Sequence, residues 1–145
     1  MAKFNFRLQS FLGVKEQLED MKKNEYGMAL KRLEEERARL SMLETEMTEN
    51  VALFKKALVT AIVAVEIRRY NNRIEHLKNW IAEQKERVKA AEQFAETKRL
   101  ELVEAMKERK ALETVRERSY EEYLEDEKRA EQVVVDGIVS YQYSS

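Results

Sequence analysis

No proline interrupts these 145 residues, and glycine occurs only as Gly13, Gly27 and Gly137. Nothing therefore removes a backbone N–H donor, and few positions favour the left-handed conformation that ends a helix. With 38% of residues charged and 43% hydrophobic, the chain has the composition of long helices, not of a globule with many turns.

Apolar spacing supports this reading. Ile67, Tyr70, Ile74, Leu77, Ile81, Gln84, Val88, Ala91 and Ala95 follow alternate steps of three and four, and only Gln84 is not apolar, so the row reads as a coiled-coil seam. Leu40, Leu43, Met47, Asn50 and Phe54 keep the same rhythm upstream. Phe11, Val14, Leu18, Met21 and Met28 do so earlier, with Glu25 as the exception. Between Met28 and Leu33 the phase slips by one residue beside Gly27, whose helix cost is about 1 kcal/mol relative to Ala, and a local irregularity is expected there. A second slip is expected after Leu112, with Tyr120, Leu124, Glu127, Glu131, Val134 and Ile138 taking over the stripe.

The segment KKALVTAIVAVEIRR breaks the charged pattern near the midpoint. Val59, Thr60, Ile62, Val63 and Val65 are β-branched, and the run is apolar on every face. A straight helix would expose that ring, whereas a bend folds part of it over the end of a hairpin. The expected fold is all-α, a long antiparallel two-helix coiled-coil hairpin with an overhanging C-terminal helix. Its first arm covers about residues 3–56, the bend about 57–66, the second arm about 67–138 and a short tail 139–145. A bend centred near Ala61 sets Leu40 near Ala82 and Phe11 near Ala111, and leaves the second arm longer by roughly 30 to 40 Å. The alternative is a straight helix in a parallel homodimer, a generic cytoplasmic adaptor.

Lys plus Arg number 27 against 28 Asp plus Glu, interspersed, for a net charge of −1, which gives no broad field for nucleic acid. Cysteine is absent, so neither disulfides nor thiolate metal sites are expected, and His76 is the single histidine. The opening MAKFNFRLQS has no apolar core of a secretory signal, and the longest uncharged interior run, Ala57 to Val65, is far below the roughly 20 residues of a membrane helix. A soluble cytosolic chain is expected, able to reach a membrane only through another protein. The mixed-sign charge also argues against an amphipathic helix lying on a membrane surface.

No phosphate-binding loop, metalloprotease helix or nucleophile elbow is present, and no enzyme activity, cofactor or metal is expected. Glu34-Glu35-Glu36 and Glu121-Glu122 read as solvated helix faces, and His76 as an ordinary surface residue. Function is then a matter of contacts. Trp80, the only tryptophan, flanks the seam at Ile81; it either covers the seam or anchors a contact patch with Arg73 and Leu77. Phe4, Phe6 and Leu8 either staple the first helix onto the second near residues 114–118 or await a partner surface.

Two stretches, FNFRLQSFLGVKEQLED and ERKALETVRERSYEEYLEDEKRAEQVVVDGIVS, resemble the FliJ family, small coiled-coil proteins of the bacterial flagellar export apparatus. Phe4, Phe6, Leu8, Gln9 and Leu12 match its N-terminal pattern, and Lys110, Glu113, Tyr123, Glu131, Gln132 and Asp136 its C-terminal one. RRYNNRIEHLKNWI, with Tyr70, Ile74, Leu77 and Ile81, looks like the start of the family's second helix.

The resemblance implies an antiparallel hairpin similar to the gamma subunit of rotary ATP synthases. It implies that the joined chain ends, with Phe4, Phe6, Leu8, Gln9, Tyr123, Glu131, Gln132 and Asp136, enter the pore of the hexameric flagellar export ATPase. It further implies that a face nearer the bend, set on Leu43, Arg73, Leu77, Trp80 and Gln84, contacts the cytoplasmic linker of the membrane export gate, and that export chaperones are handled. On that reading the chain associates peripherally with the cytoplasmic face of the inner membrane. Glu46 and Asn50 stand where aromatics are expected, and Asp136-Gly137 replaces Asp-Glu, with Gly137 expected to stop the helix.

Overall fold

The structure, a computed structural model, describes residues 3–60 and 63–144. Two helices account for most of them: α1, Gln9–Val59, and α2, Ala64–Ser144. No strand occurs among the described residues. The first turn of α1 is set by the Gln9 N–H donating to the Phe6 carbonyl at 3.0 Å and the Leu12 N–H to that of Leu8 at 2.9 Å. Where α1 ends, Thr60 donates through both its N–H and its hydroxyl to the Lys56 carbonyl, at 3.1 and 3.0 Å, satisfying an acceptor the last turn leaves open. The Lys56 charge suits that negative end of the helix. The Val63 carbonyl accepts from the Glu66 N–H at 3.0 Å to open α2, and Glu66 places a negative charge in the first turn. Ala61, taken as the centre of the bend, lies outside the described residues.

The chain forms two compact units, each made from a part of α1 and a part of α2. One is Lys23–Glu101. Its core is Ala29, Leu33, Val88, Ala91 and Ala95, with Leu40 packed against them, and Ile74 and Leu77 are buried as well. Ion pairs run across it from Glu25 to Lys98, from Arg37 to Glu92 and from Glu46 to Arg73. Residue numbers fall on one helix as they rise on the other, so the helices are antiparallel.

The other unit is Met1–Lys22 with Leu102–Ser145. Its buried apolar side chains are few among the described residues: Phe6, Leu12 and Ala105. Polar contacts do more here. Lys15 Nζ lies 2.8 Å from Glu108, and Arg109 binds the buried Glu19. Phe4 meets Tyr120 while Lys15 meets Glu108, so the sense is again antiparallel.

Neither expected phase slip occurs. Leu12, Lys15, Glu19, Lys22, Tyr26, Ala29 and Leu33 are all buried or half-buried, at unbroken steps of three and four that continue through Leu40, Leu43 and Met47 to Phe54. Of the apolar row expected to form the seam, Phe11, Val14, Met21 and Met28 are exposed instead, and Leu18 is half-buried. A helix that keeps regular winding keeps its phase. The polar residues thereby turned inward can stay, because Glu108 meets Lys15 and Arg109 meets Glu19. On α2 the row from Ile67 to Ala95 is buried or half-buried as the spacing predicts, and it runs on through Lys98, Leu102, Ala105, Arg109 and Leu112 to Ser119 and Tyr123. Tyr120 and Leu124, expected to take over, are exposed.

Glycine does not end a helix here. Gly27 lies inside α1 and Gly137 inside α2, which continues to Ser144. A single interior glycine costs a helix only about 1 kcal/mol, too little to offset the hydrogen bonds that propagate on both sides.

Candidate partner-binding surfaces

The extended residues before α1 lie along α2 in the unit that contains both chain ends. The Phe4 ring meets Tyr120 edge-on at 5.1 Å and 72° and leans on Tyr123 at 5.5 Å and 50°. Phe4 also closes a shallow cleft of about 210 Å³ with Arg116, Glu117 and Tyr120. The staple therefore lands on Arg116 and Glu117 and reaches a turn further than residues 114–118, because the two tyrosines offer a ring edge and a face at aromatic contact distance. Phe6 is buried, as is Leu12, whereas Leu8 and Gln9 are exposed at the start of α1. Of the aromatic pair at the N-terminus, Phe6 is thus core and Phe4 a half-buried clasp.

Further along α2, every residue from 128 to 144 is exposed. Val133, Val134, Val135, Ile138 and Val139 are among them, a density of apolar side chains that a solvated helix does not need. Glu131 is exposed, and Gln132 Nε2 donates to Asp136 Oδ1 at 3.0 Å, one helical turn away. The carboxylates of Glu125 and Asp126 flank Arg129 at 3.7 and 3.8 Å.

Glu19 and Arg109 form a pair that apolar periodicity does not reveal. Only 5% of Glu19 is exposed, and Arg109 is shared between it and Glu113, the latter at 2.8 Å. Hydrogen bonds to these two carboxylates, Glu19 first, hold the Arg109 pKa above its ordinary value against the opposing effect of burial. The signal that could have found Glu19 is the heptad of Leu33 and Leu40 carried backwards without a slip.

In the unit Lys23–Glu101, Trp80 lies on the surface between Arg73 and His76. The Arg73 guanidinium sits 5.2 Å above its ring, and the His76 ring stacks at 5.9 Å and 24°. Glu46, standing where the resemblance led us to expect an aromatic, instead binds Arg73 across the helices and holds it in place. Leu43 is half-buried and, with Arg39, Trp80, Glu83, Gln84 and Arg87, lines a cleft of about 330 Å³. Leu77 has no exposed surface and Gln84 is 3% exposed. The Gln84 side chain donates to the Glu36 carbonyl at 2.9 Å and to its carboxylate, so that a buried amide is satisfied. Of the five residues assigned to this face, Arg73, Trp80 and Leu43 can be touched from outside, while Leu77 and Gln84 support them from within. Among the described residues no cluster of His, Asp or Glu is placed to hold a metal ion, and no helix is long and apolar enough to cross a membrane.

Over residues 4–145 the sequence matches the family described as Flagellar FliJ protein. The chain belongs to the FliJ family. Its backbone is similar to a solved structure described as that of a YscO homologue from Chlamydia trachomatis, with a TM-score of 0.61 and 19% identity over 98% of this chain and 96% of that one. At that identity the likeness concerns the fold: two long helices packed on each other. No protein of curated function matches. In this FliJ-family chain the end of α2 and the Arg73–Trp80 surface are exposed to solvent, and the aromatic clasp is half-buried.

Proposed function

We propose that this FliJ-family protein is a non-enzymatic component of the bacterial flagellar type III export apparatus, joining the hexameric export ATPase to the cytoplasmic linker of the membrane export gate and assisting export chaperones. Membership of the family over residues 4–145 supports the export role. The observation that carries the finer reading is the unbroken exposure of residues 128–144, with Val133, Val134, Val135, Ile138 and Val139 unburied on one continuous helix. This is the overhanging probe of the hairpin, narrow enough for a central channel and apolar enough to gain from entering one. Glu131, Gln132 and Asp136 belong to it, and Phe4, Phe6, Leu8 and Gln9 form its base with Tyr123, against which Phe4 packs. The gate face centres on Trp80 and Arg73 with Leu43, since a rigid tryptophan beside an arginine is the pairing over-represented at binding centres. Association with the inner membrane is peripheral, through the gate.

The intrachain antiparallel pairing occupies the seam that a parallel dimer would need, which favours the hairpin component over the adaptor. Co-purification with the matched export ATPase tests the reading. The full chain should bring down the hexamer, and a chain ending at residue 127 should not, while far-UV circular dichroism stays helical. Undiminished capture by the shortened chain refutes insertion of the tail.

A further inference from the structure

Between residues 11 and 22, α1 carries two rows at the same spacing, one residue out of phase. The row against α2 is Leu12, Lys15, Glu19 and Lys22, buried or half-buried. The row beside it is Phe11, Val14, Leu18 and Met21; Leu18 is half-buried, and Phe11, Val14 and Met21 are 51%, 57% and 57% exposed. An amphipathic helix ordinarily buries the second kind of row and solvates the first. Here the reverse arrangement stands because the inward charges are met, Lys15 by Glu108 and Glu19 by Arg109.

The arrangement is also releasable. Arg109 holds a second carboxylate, Glu113 at 2.8 Å on its own helix, so that the guanidinium remains paired if Glu19 departs. Glu19 would then regain water, and the usual penalty for breaking a buried pair, an unmatched buried charge, does not arise. The α2 row opposite includes Ala105 and Leu112, one small and one apolar, which can receive apolar side chains from α1. Gly27, with open space around it, is where α1 can absorb a one-residue change of winding most cheaply.

We propose that residues 11–22 of α1 form a two-position element that turns about the helix axis by one residue, about 100°, exchanging the charged row against α2 for the apolar one. In the position seen here the Glu19–Arg109–Glu113 cluster is the latch. In the other, Phe11, Val14, Leu18 and Met21 face α2 while Lys15 and Glu19 face water. Both positions are fully helical, and interlocking side chains make them discrete alternatives instead of a continuum. A partner meeting this segment therefore encounters an apolar face in one position and a charged face in the other. High salt favours the second position, since at 1 M, where the Debye length is about 3 Å, it screens the part-exposed Lys15–Glu108 pair that holds the same row inward. It screens the buried Glu19–Arg109 pair much less, while apolar burial is not weakened.

The test uses three single-thiol variants of the full chain, Leu12→Cys, Val14→Cys and Met21→Cys, possible because the protein has no cysteine of its own. Their rates of reaction with a maleimide are compared at low salt, at 1 M NaCl and with Glu19→Lys added, which sets a positive charge against Arg109. At low salt the thiols at 14 and 21 should react at least about tenfold faster than that at 12, since alkylation follows exposure. Salt, and independently Glu19→Lys, should raise the rate at 12 and lower it at 14 and 21, with helicity unchanged. A rise at all three positions means that the arm detaches, and an unchanged order means that it does not move; either overturns the proposal.

Discussion

Replacing Leu77 by alanine separates a supporting role from a contact role. Leu77 lies on the row that the resemblance assigned to a partner, yet it has no exposed surface. Truncation removes three carbons, a transfer loss of about 2.4 kcal/mol at roughly 0.8 kcal/mol per buried methylene. A cavity contribution adds to this, at about 24 cal/mol per Å³ left unfilled. A seam between two helices can close on a void more readily than a globular core, so the total should be about 3 kcal/mol, in the lower half of the usual Leu-to-Ala range. With a urea slope of about 2 kcal/mol/M, the unfolding midpoint followed by circular dichroism at 222 nm falls by about 1.5 M. Trp80→Ala is the control. Trp80 is 40% exposed and loses the Arg73 contact and the His76 stack, for a cost of about 1 kcal/mol. Binding to the cytoplasmic part of the export gate, measured where both variants are folded, should weaken with Trp80→Ala and persist with Leu77→Ala. A midpoint in Leu77→Ala within 0.3 M of the parent, about a fifth of the expected shift, refutes the packing reading. Equal loss of stability in the two variants does so as well.

Gln84→Leu should leave the thermal midpoint unchanged or raise it, because an apolar side chain of similar volume suits the seam and the Glu36 carboxylate keeps Arg32 at 3.9 Å, whereas Gln84→Ala should cost about 1 to 2 kcal/mol by leaving a void. Phe4→Ala should lower stability by about 1 kcal/mol and reduce the near-ultraviolet circular dichroism of tyrosine, since Tyr120 and Tyr123 lose their ring partner. The Glu96 carboxyl, which accepts two hydrogen bonds from Arg99 at 2.9 and 2.7 Å, titrates below its ordinary value of 4.5, the hydrogen bonds and charge of Arg99 outweighing slight desolvation. Its contribution to stability is therefore complete above pH 4.5 and is lost as the pH falls through the depressed value; carboxyl-detected NMR should show that titration, and Arg99→Ala should return it to the ordinary range.

The middle of the molecule was legible because its seam is almost wholly apolar. Ile74, Leu77, Val88, Ala91 and Ala95 are buried where three-four spacing puts them, and helical type follows from a sequence with no proline. Toward the chain ends the same counting chose the wrong row on α1 and α2. Periodicity registers apolar residues, and the residue that fixes the phase of α1 near its start is Glu19, whose partner Arg109 is 90 positions away and leaves no local trace. The surface residues were read unevenly for a similar reason. Trp80 declared itself by type, and Phe4 by its place in an aromatic cluster. Gln84 was set on a contact face through family likeness, and Leu77 through that and its nearness to Trp80; both transfer a stretch of helix but not the roughly 100° that separates its outer side from its seam.

That same angle explains why charge and not apolar burial sets the phase of α1 next to the chain ends. In the unit Lys23–Glu101 the buried row is apolar except for Gln84, whose amide is satisfied by Glu36, and phase costs little to keep. In the unit with the chain ends, burying Phe11, Val14, Leu18 and Met21 would yield more adhesion but would demand a change of winding. Keeping the phase demands instead that Lys15 and Glu19 be met by Glu108 and Arg109, and they are. Buried ion pairs add little to stability compared with apolar side chains of equal size, but a pair broken on one side is costly. The pairing of Glu19 with Arg109 thus specifies one arrangement without adding much adhesion to it, and only the second carboxylate on Arg109, that of Glu113, keeps the alternative within reach.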